Sequence, residues 1–417
     1  MDAPSTAPPT EDLRDLLRLT LTPGLGPILI ARLLEAFGSA RGVLGASARE
    51  LERVRGIGSA KSVAFVRGLK ESEALVEREL ALASKLGVRL IARGSPEYPP
   101  LLAPLPDAPP LLYIRGALRP ADLDAYPVAI VGSRDSTAYG IEQAERFAAV
   151  LAGAGLTIVS GGARGIDTAA HRGALRAGGR TIAILGCGLG ECYPPENAAL
   201  FERVAAAEPG GAGGALISEL PLSTVPDALN FPARNRLISG VSLGVIVIEA
   251  QKGSGSLITA RVAAEDHGRE VMAVPGRVDS PSSWGTHELI KSGGAALVTE
   301  PGDVLAILES PARHSFAGVH ADRYADPARA PEALFDPAGA EMKPLSDDRA
   351  APGAAAVSRA PGLSVAHQRI LAVLEHPLTP DELARAADMP PAQLRVHLTT
   401  LEIQKRVRRQ GSRIARC

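Results

Sequence analysis

Four short segments of this 417-residue chain gather the residue types that can hold an anion. They are Gly132-Ser133-Arg134, then Ser160-Gly161-Gly162-Ala163-Arg164-Gly165-Ile166-Asp167, then Phe231-Pro232-Ala233-Arg234-Asn235-Arg236, and Gly253-Ser254-Gly255-Ser256. Glycine lets the backbone come close to a ligand and leaves its amides pointing outward, and a helix start adds partial positive charge. A phosphate is the natural guest. Arg134 and Arg164 bring planar, bidentate donors matched to phosphate oxygens. The third segment adds an aromatic ring, two arginines and an amide, and nucleobases stack on aromatic faces and guanidinium planes. Gly132, Ser133, Arg134, Ser160, Gly161, Gly162, Arg164, Gly165, Asp167, Phe231, Arg234, Asn235, Arg236, Gly255 and Ser256 are therefore the expected site residues, and single-stranded nucleic acid the expected guest. Arg134 and Arg234 are each expected to be phosphate contacts whose loss leaves folding intact. Two other readings stand beside these. Arg236 could pair with Glu219 inside the fold, and Asp167 could cap its helix or form an acid–base pair with His171, four residues on.

Catalytic chemistry finds little support in the sequence. Glu219 and Glu249 each stand alone at a strand end, with no histidine or second acid at metal-ligand spacing. Neither a nucleophile nor a Walker-type loop is recognisable. The three cysteines, Cys187, Cys192 and Cys417, fit neither a disulfide framework nor a CxxC pattern and read as reduced thiols. A dinucleotide fingerprint fails, because Ser160 occupies the first glycine position ahead of Gly162 and Gly165, and the next strand ends in Gly186-Cys187 where an acid is needed. The alternative is a nucleotide phosphoribohydrolase-like enzyme using the same phosphate turn. Its carboxylate should follow a second glycine turn, yet Lys252-Gly253-Ser254-Gly255-Ser256 leads into Leu257-Ile258-Thr259. The expectation is a non-enzyme without cofactor or metal.

These loops need a scaffold that brings them together. From Leu13 to about Leu86 apolar residues recur at helical spacing, interrupted by the turns Pro23-Gly24-Leu25-Gly26 and Gly56-Ile57-Gly58. Residues 1–87 read as a helical SAM- or helix-hairpin-helix-like domain, whose glycines either face a DNA phosphate or serve helix packing. Residues 88–310 alternate short β-rich runs with amphipathic stretches. The strands are placed at Leu111–Arg115, Val128–Gly132, Thr157–Ser160, Thr181–Leu185, Ala215–Ser218, Val245–Glu249, Val271–Val274 and Ala296–Val298. Such alternation predicts an α/β fold, a Rossmann-like, doubly wound, mostly parallel sheet whose ligand crevice lies beyond the carboxyl ends of the strands. Residues 311–362, rich in Ala and Pro, read as a disordered linker. Residues 363–417 read as a winged helix of three short helices followed by Arg408-Arg409-Gln410-Gly411-Ser412-Arg413. Arg395, Lys405, Arg406, Arg408, Arg409 and Arg413 make this domain a second candidate for contact with duplex DNA, the other reading being a protein-docking module. Net charge is −1, so any nucleic-acid site must be local. The acidic, proline-bearing start and the absence of a long apolar run predict a cytoplasmic protein that does not enter a membrane.

In this order the segments IVGSR, SGGARGID, GCGLGECYPPEN, SELP, FPARNRLISGVS, EAQKGSGSLITA and AVPGRV resemble the DNA-processing protein A family (DprA, also called Smf). The resemblance spans roughly Val88 to Val298 and extends more loosely to both ends. It implies a homodimeric bacterial protein that binds incoming single-stranded DNA in natural transformation, protects it and loads the RecA recombinase onto it. It also implies a pocket built from Gly132, Ser133, Arg134, Ser160, Gly161, Arg164, Gly165, Asp167, Phe231, Arg234, Asn235 and Arg236. The chain departs from the family pattern at His287, which replaces an asparagine, and at Gln404-Lys405-Arg406, where a glycine is usual.

Overall fold

A computed structural model describes residues 11–121, 123–206, 213–317, 370–374, 376, 378–387, 389, 407–410 and 413–416. The chain divides into two compact units, Met1–Lys343 and Pro344–Cys417.

The first unit opens with helices α1 (Glu11–Leu21), α2 (Pro27–Phe37), α3 (Ala40–Leu44), α4 (Ala48–Leu51) and α5 (Ser59–Leu86). Their ends follow local chemistry. Pro27 starts α2, Gly38 closes it in the left-handed conformation, and Ser47 with Glu50 forms a capping box on α4. Leu19, Ile30, Leu33, Val43, Leu51 and Phe65 share a core of their own. The long α5 leaves that core: Val76 and Ala83 join Leu111, Tyr113, Leu216 and Phe201 against the sheet. The buried Glu79 carboxylate accepts the Leu222 N–H at 2.7 Å.

Among the described residues nine strands follow: β1 (Val88–Ala92), β2 (Leu111–Gly116), β3 (Pro127–Val131), β4 (Thr157–Ser160), β5 (Arg180–Ile184), β6 (Gly213–Ser218), β7 (Gly244–Val247), β8 (Glu270–Ala273) and β9 (Ala296–Leu297). They form one sheet in the order β1-β2-β6-β5-β4-β3-β7-β8-β9. Only β1–β2 and β2–β6 are antiparallel; the remaining pairs are parallel. The sheet is thus α/β and mostly parallel, as the sequence implies. The sequence reading missed β1, an antiparallel edge strand with no helix crossing over to it. Strand alternation divides β3 between two cores, with Val128 and Ile130 on the face of α6 (Ala138–Gly153) and α7 (Ile166–Arg176) and Ala129 and Val131 on the other. The chain order reverses at β3, which pairs with β4 on one side and β7 on the other. A crevice opens beyond strand ends at such a switch point.

Helices α8 (Ala198–Ala205), α9 (Asn230–Gly240), α10 (Gly255–Arg261), α11 (Trp284–Lys291) and α12 (Pro301–Ala317) complete the unit. The last corrects a boundary, since it runs through Pro311, where the reading began a linker. Asp303 fixes its start by accepting the Thr299 and Glu300 amides, and Val304 and Leu308 are buried, so one proline in the final turns does not end it. The rest of the expected linker lies outside the described residues.

In the second unit, Thr379 and Glu382 form a capping box on the helix Pro380–Ala386. Strands β10 (Val407–Gln410) and β11 (Arg413–Arg416) pair antiparallel, and Leu378 bridges to Ile414. Ile370, Leu371, Leu374, Leu383, Val407 and Ile414 form its core. The expected third helix, with Arg395, and Lys405 and Arg406 after it lie outside the described residues. Arg408, Arg409 and Arg413 fall on the paired strands.

Candidate functional site

Beyond the carboxyl ends of β3, β4 and β7 lies a cleft of about 730 Å³. Nine of the expected residues line it: Gly132, Ser133, Arg134, Asp167, Phe231, Arg234, Asn235, Gly255 and Ser256. Arg134 is exposed, and its guanidinium carbon sits 5.2 Å from the centroid of the Phe231 ring. That ring in turn lies 5.3 Å from Tyr193. A cation is thereby held over the Phe231 ring, with donors left for a ligand. Among the described residues no ion pair engages Arg134.

The loop carrying Arg134 is fixed from below. The Ser133 N–H donates to the Glu249 carbonyl at 2.8 Å, and the Ser133 hydroxyl donates to the Asp135 carbonyl at 2.9 Å. The buried Glu249 carboxylate accepts the Thr137 N–H at 2.9 Å and the Thr137 hydroxyl at 2.6 Å. Thr137 in turn caps α6 by accepting the Gly140 amide at 3.1 Å. On the facing wall the Asn235 amide donates to the Gly255 carbonyl at 3.4 Å, tying α9 to the start of α10.

The second glycine loop shapes the floor. Ser160, Gly161, Gly162, Arg164 and Gly165 do not line the cleft. The Ser160 hydroxyl is buried and donates to the Ile130 carbonyl at 2.7 Å. Gly165, with φ 72° and ψ −124°, passes so close to the Ser133 and Arg134 carbonyls that no side chain fits. Gly161 is wedged between two buried groups, and a Cβ there would stand 2.7 Å from both Arg234 Nη1 and Asp167 Oδ2. The Asp167 carboxylate accepts the Gly161 N–H at 3.1 Å and the Ala163 N–H at 3.3 Å. It therefore ties down the preceding loop, whereas the capping reading had it serve its own helix. Burial pushes its carboxyl above the ordinary carboxylate range, against the opposing charge of Arg234. The acid–base reading fails on His171, which is fully buried and hydrogen-bonded to Thr181.

Three arginines sit differently from expectation. Arg234 is only 4% exposed and donates to the Gly161 carbonyl at 2.5 Å and to the Ile184 carbonyl, bracing the ends of β4 and β5. Burial pulls it down to about 10. It reaches the cleft as floor, and its loss removes internal bonds as well as charge. Arg236 turns away from the cleft and pairs with Glu219, as the alternative reading has it, while donating to the Asp107 carbonyl at 2.6 Å. Arg164 lies outside the cleft and pairs with exposed Glu196. Adjacent glycine motifs in sequence do not reveal which arginine faces solvent.

Sequence reasoning left out Tyr193 and Lys252, both of which line the cleft. Lys252 was within reach, because it follows the end of β7 closely and strand ends are where ligands sit.

Residues 89–309 match the family described as DNA recombination-mediator protein A, and residues 354–412 match the DprA winged helix domain. The chain belongs to this family. It is 46% identical over 234 residues to Protein Smf of Escherichia coli (strain K12), a match spanning 56% of this chain and 60% of Smf. It is 45% identical over 213 residues to DNA processing protein DprA of Streptococcus pneumoniae, covering 51% and 71% of the two chains. The X-ray structure of DprA from Streptococcus pneumoniae superposes with a TM-score of 0.60 at 35% identity, covering 70% of this chain and 97% of that one. A winged helix domain at the C-terminal end is therefore a feature of this chain too. No helix among the described residues is long and apolar enough to cross a membrane.

Proposed function

We propose that the cleft binds single-stranded DNA without chemically altering it, and that the chain acts as a homodimer that protects incoming DNA in natural transformation and loads RecA onto it. The observation that carries the binding step is Arg134 laid on Phe231 at the cleft mouth, a phosphate donor and a base-stacking ring in one unit. One further feature supports a polymer as guest. The cleft adjoins a second hollow of about 530 Å³ that shares Gln251 and Lys252 with it, giving a trough longer than one nucleotide needs. The buried carboxylates nearest the strand ends, Asp167 and Glu249, are already committed to backbone amides and Thr137, which supports a binding role over hydrolysis. Protection, recombinase loading and dimerisation rest on family membership.

Anisotropy of a fluorescent poly-dT oligonucleotide, titrated with the full chain at several salt concentrations, tests the reading. The Arg134→Ala variant is expected to bind more weakly and to lower the slope of log K against log salt by about 0.7, the loss of one phosphate contact on a single strand. Its urea unfolding midpoint should match that of the parent. Arg234→Ala, by contrast, should lower that midpoint. Absence of oligonucleotide binding by the folded parent chain would overturn the proposal.

A further inference from the structure

The second hollow contains the only tryptophan of the chain, Trp284, together with Lys252, Val278 and His287, while its two carboxylates, Asp279 and Glu288, are paired with Arg277 and Lys291. Trp284 opens α11 and is 41% exposed, and Val278 beside it is 93% exposed. Large apolar side chains left in water beside an exposed, unpaired lysine such as Lys252 suit a base-stacking platform. The Lys252 ammonium lies 5.7 Å from the centroid of the indole ring. Lys252 also lines the main cleft and forms no ion pair among the described residues, so its charge is available to a phosphate passing between the two hollows. The pairing of Lys252 with Trp284 repeats the chemistry of Arg134 with Phe231: a cation over a ring, on a loop that follows a strand end.

The indole is seated by its neighbours. Gly285 packs against Ala250 and Leu257 where a Cβ would collide, and its N–H donates to the Ala250 carbonyl at 2.7 Å. His287, two residues further on in the same hollow, lies 3.2 Å from the Gly276 carbonyl through Nε2. The ring is thus held on a fixed backbone while part of its face meets solvent.

We infer that Trp284 is a second base-stacking station for single-stranded DNA, reached when a strand leaving the Arg134–Phe231 cleft crosses Lys252. This rests on the proposed binding of single strands in the main cleft. A short strand fills the first cleft alone, and only a longer one reaches the indole.

Because Trp284 is the sole tryptophan, its emission reports on the station directly in the unmodified full chain. Oligo-dT of increasing length is titrated while both tryptophan emission and the anisotropy of a labelled oligonucleotide are followed. The expected result is binding without quenching for the shortest strands that still bind, and quenching with reduced acrylamide access above a threshold length. Replacing the nucleotides at the far end by abasic spacers should restore the emission. Trp284→Leu should weaken binding of the longer strands by about fivefold or more and leave the shortest unchanged, and Trp284→Phe should recover most of the loss. Tight binding of long strands with unchanged emission and unchanged Trp284→Leu affinity would overturn the second station and leave the main cleft intact. Binding absent at every length would overturn both.

Discussion

At the scale of single residues, burial separates groups that look equivalent in sequence. His171 lies four positions after Asp167 on α7, and its ring is wholly buried. The Thr181 hydroxyl donates to the Ile158 carbonyl, so its oxygen accepts from His171 Nδ1–H at 2.7 Å. Burial, helped by the nearby Arg234 charge, lowers the imidazole from 6.5 to about 3. Below pH 6.5 the unfolded chain therefore takes up a proton that the folded chain refuses until about pH 3. The stability supplied by neutral His171 is complete above that window and is lost as pH falls through it. Urea midpoints measured from neutral to acid pH should fall more steeply for the parent than for His171→Gln, and parallel slopes would refute this account. The same contrast explains what the sequence could and could not convey about the site. Arg134 and Phe231 were legible because a glycine turn and an aromatic–arginine cluster have chemical meaning wherever they occur. The inward turn of Arg234 and the outward pairing of Arg164 depend on strands distant in sequence, and no local pattern encodes them.

At the scale of elements, Glu249 joins the end of β7 to the start of α6 through both oxygens on Thr137, and its own carbonyl holds the loop that carries Arg134. Glu249→Ala should lower stability by about 1.5–3 kcal/mol, the usual worth of hydrogen bonds to a buried charged group. It should also weaken oligonucleotide binding more than that stability loss alone explains, since the loop carrying Arg134 keeps its bond to the residue-249 carbonyl but loses the carboxylate anchor at Thr137. A urea melt together with an anisotropy titration separates the two effects. The parallel strands were readable in advance because they are buried on both faces and therefore nearly unbroken apolar runs, such as Pro127–Val131 and Gly244–Val247. Strand order was beyond local reading, and so was β1, because each is settled by pairing partners remote in the chain. Lys252 stands in the same segment as the glycine and serine helix start, and only the fold shows that its side chain faces both hollows.

At the scale of the molecule, the helical segment is part of the structure that supports the sheet. Helix α5 covers Leu111 and Tyr113 of β2, and Glu79 binds the Leu222 amide. A chain starting at residue 88 and running to Cys417 should consequently unfold at lower urea than the whole chain, each large side chain uncovered costing about 1.5–3 kcal/mol. Circular dichroism of fragment and full chain under urea gives the comparison, and equal midpoints would show the helices to be dispensable. The cleft also has few charges to spend. With Arg134 and Lys252 as its exposed cations among the described lining residues, a single copy neutralises about two phosphates, which corresponds to a salt slope of only about −1.4. One cleft alone is then a modest grip. If two copies are joined, the second engages a strand already held near it, so the affinity of the pair is governed by effective concentration, and a strand too short to bridge both clefts is released while a longer one is retained.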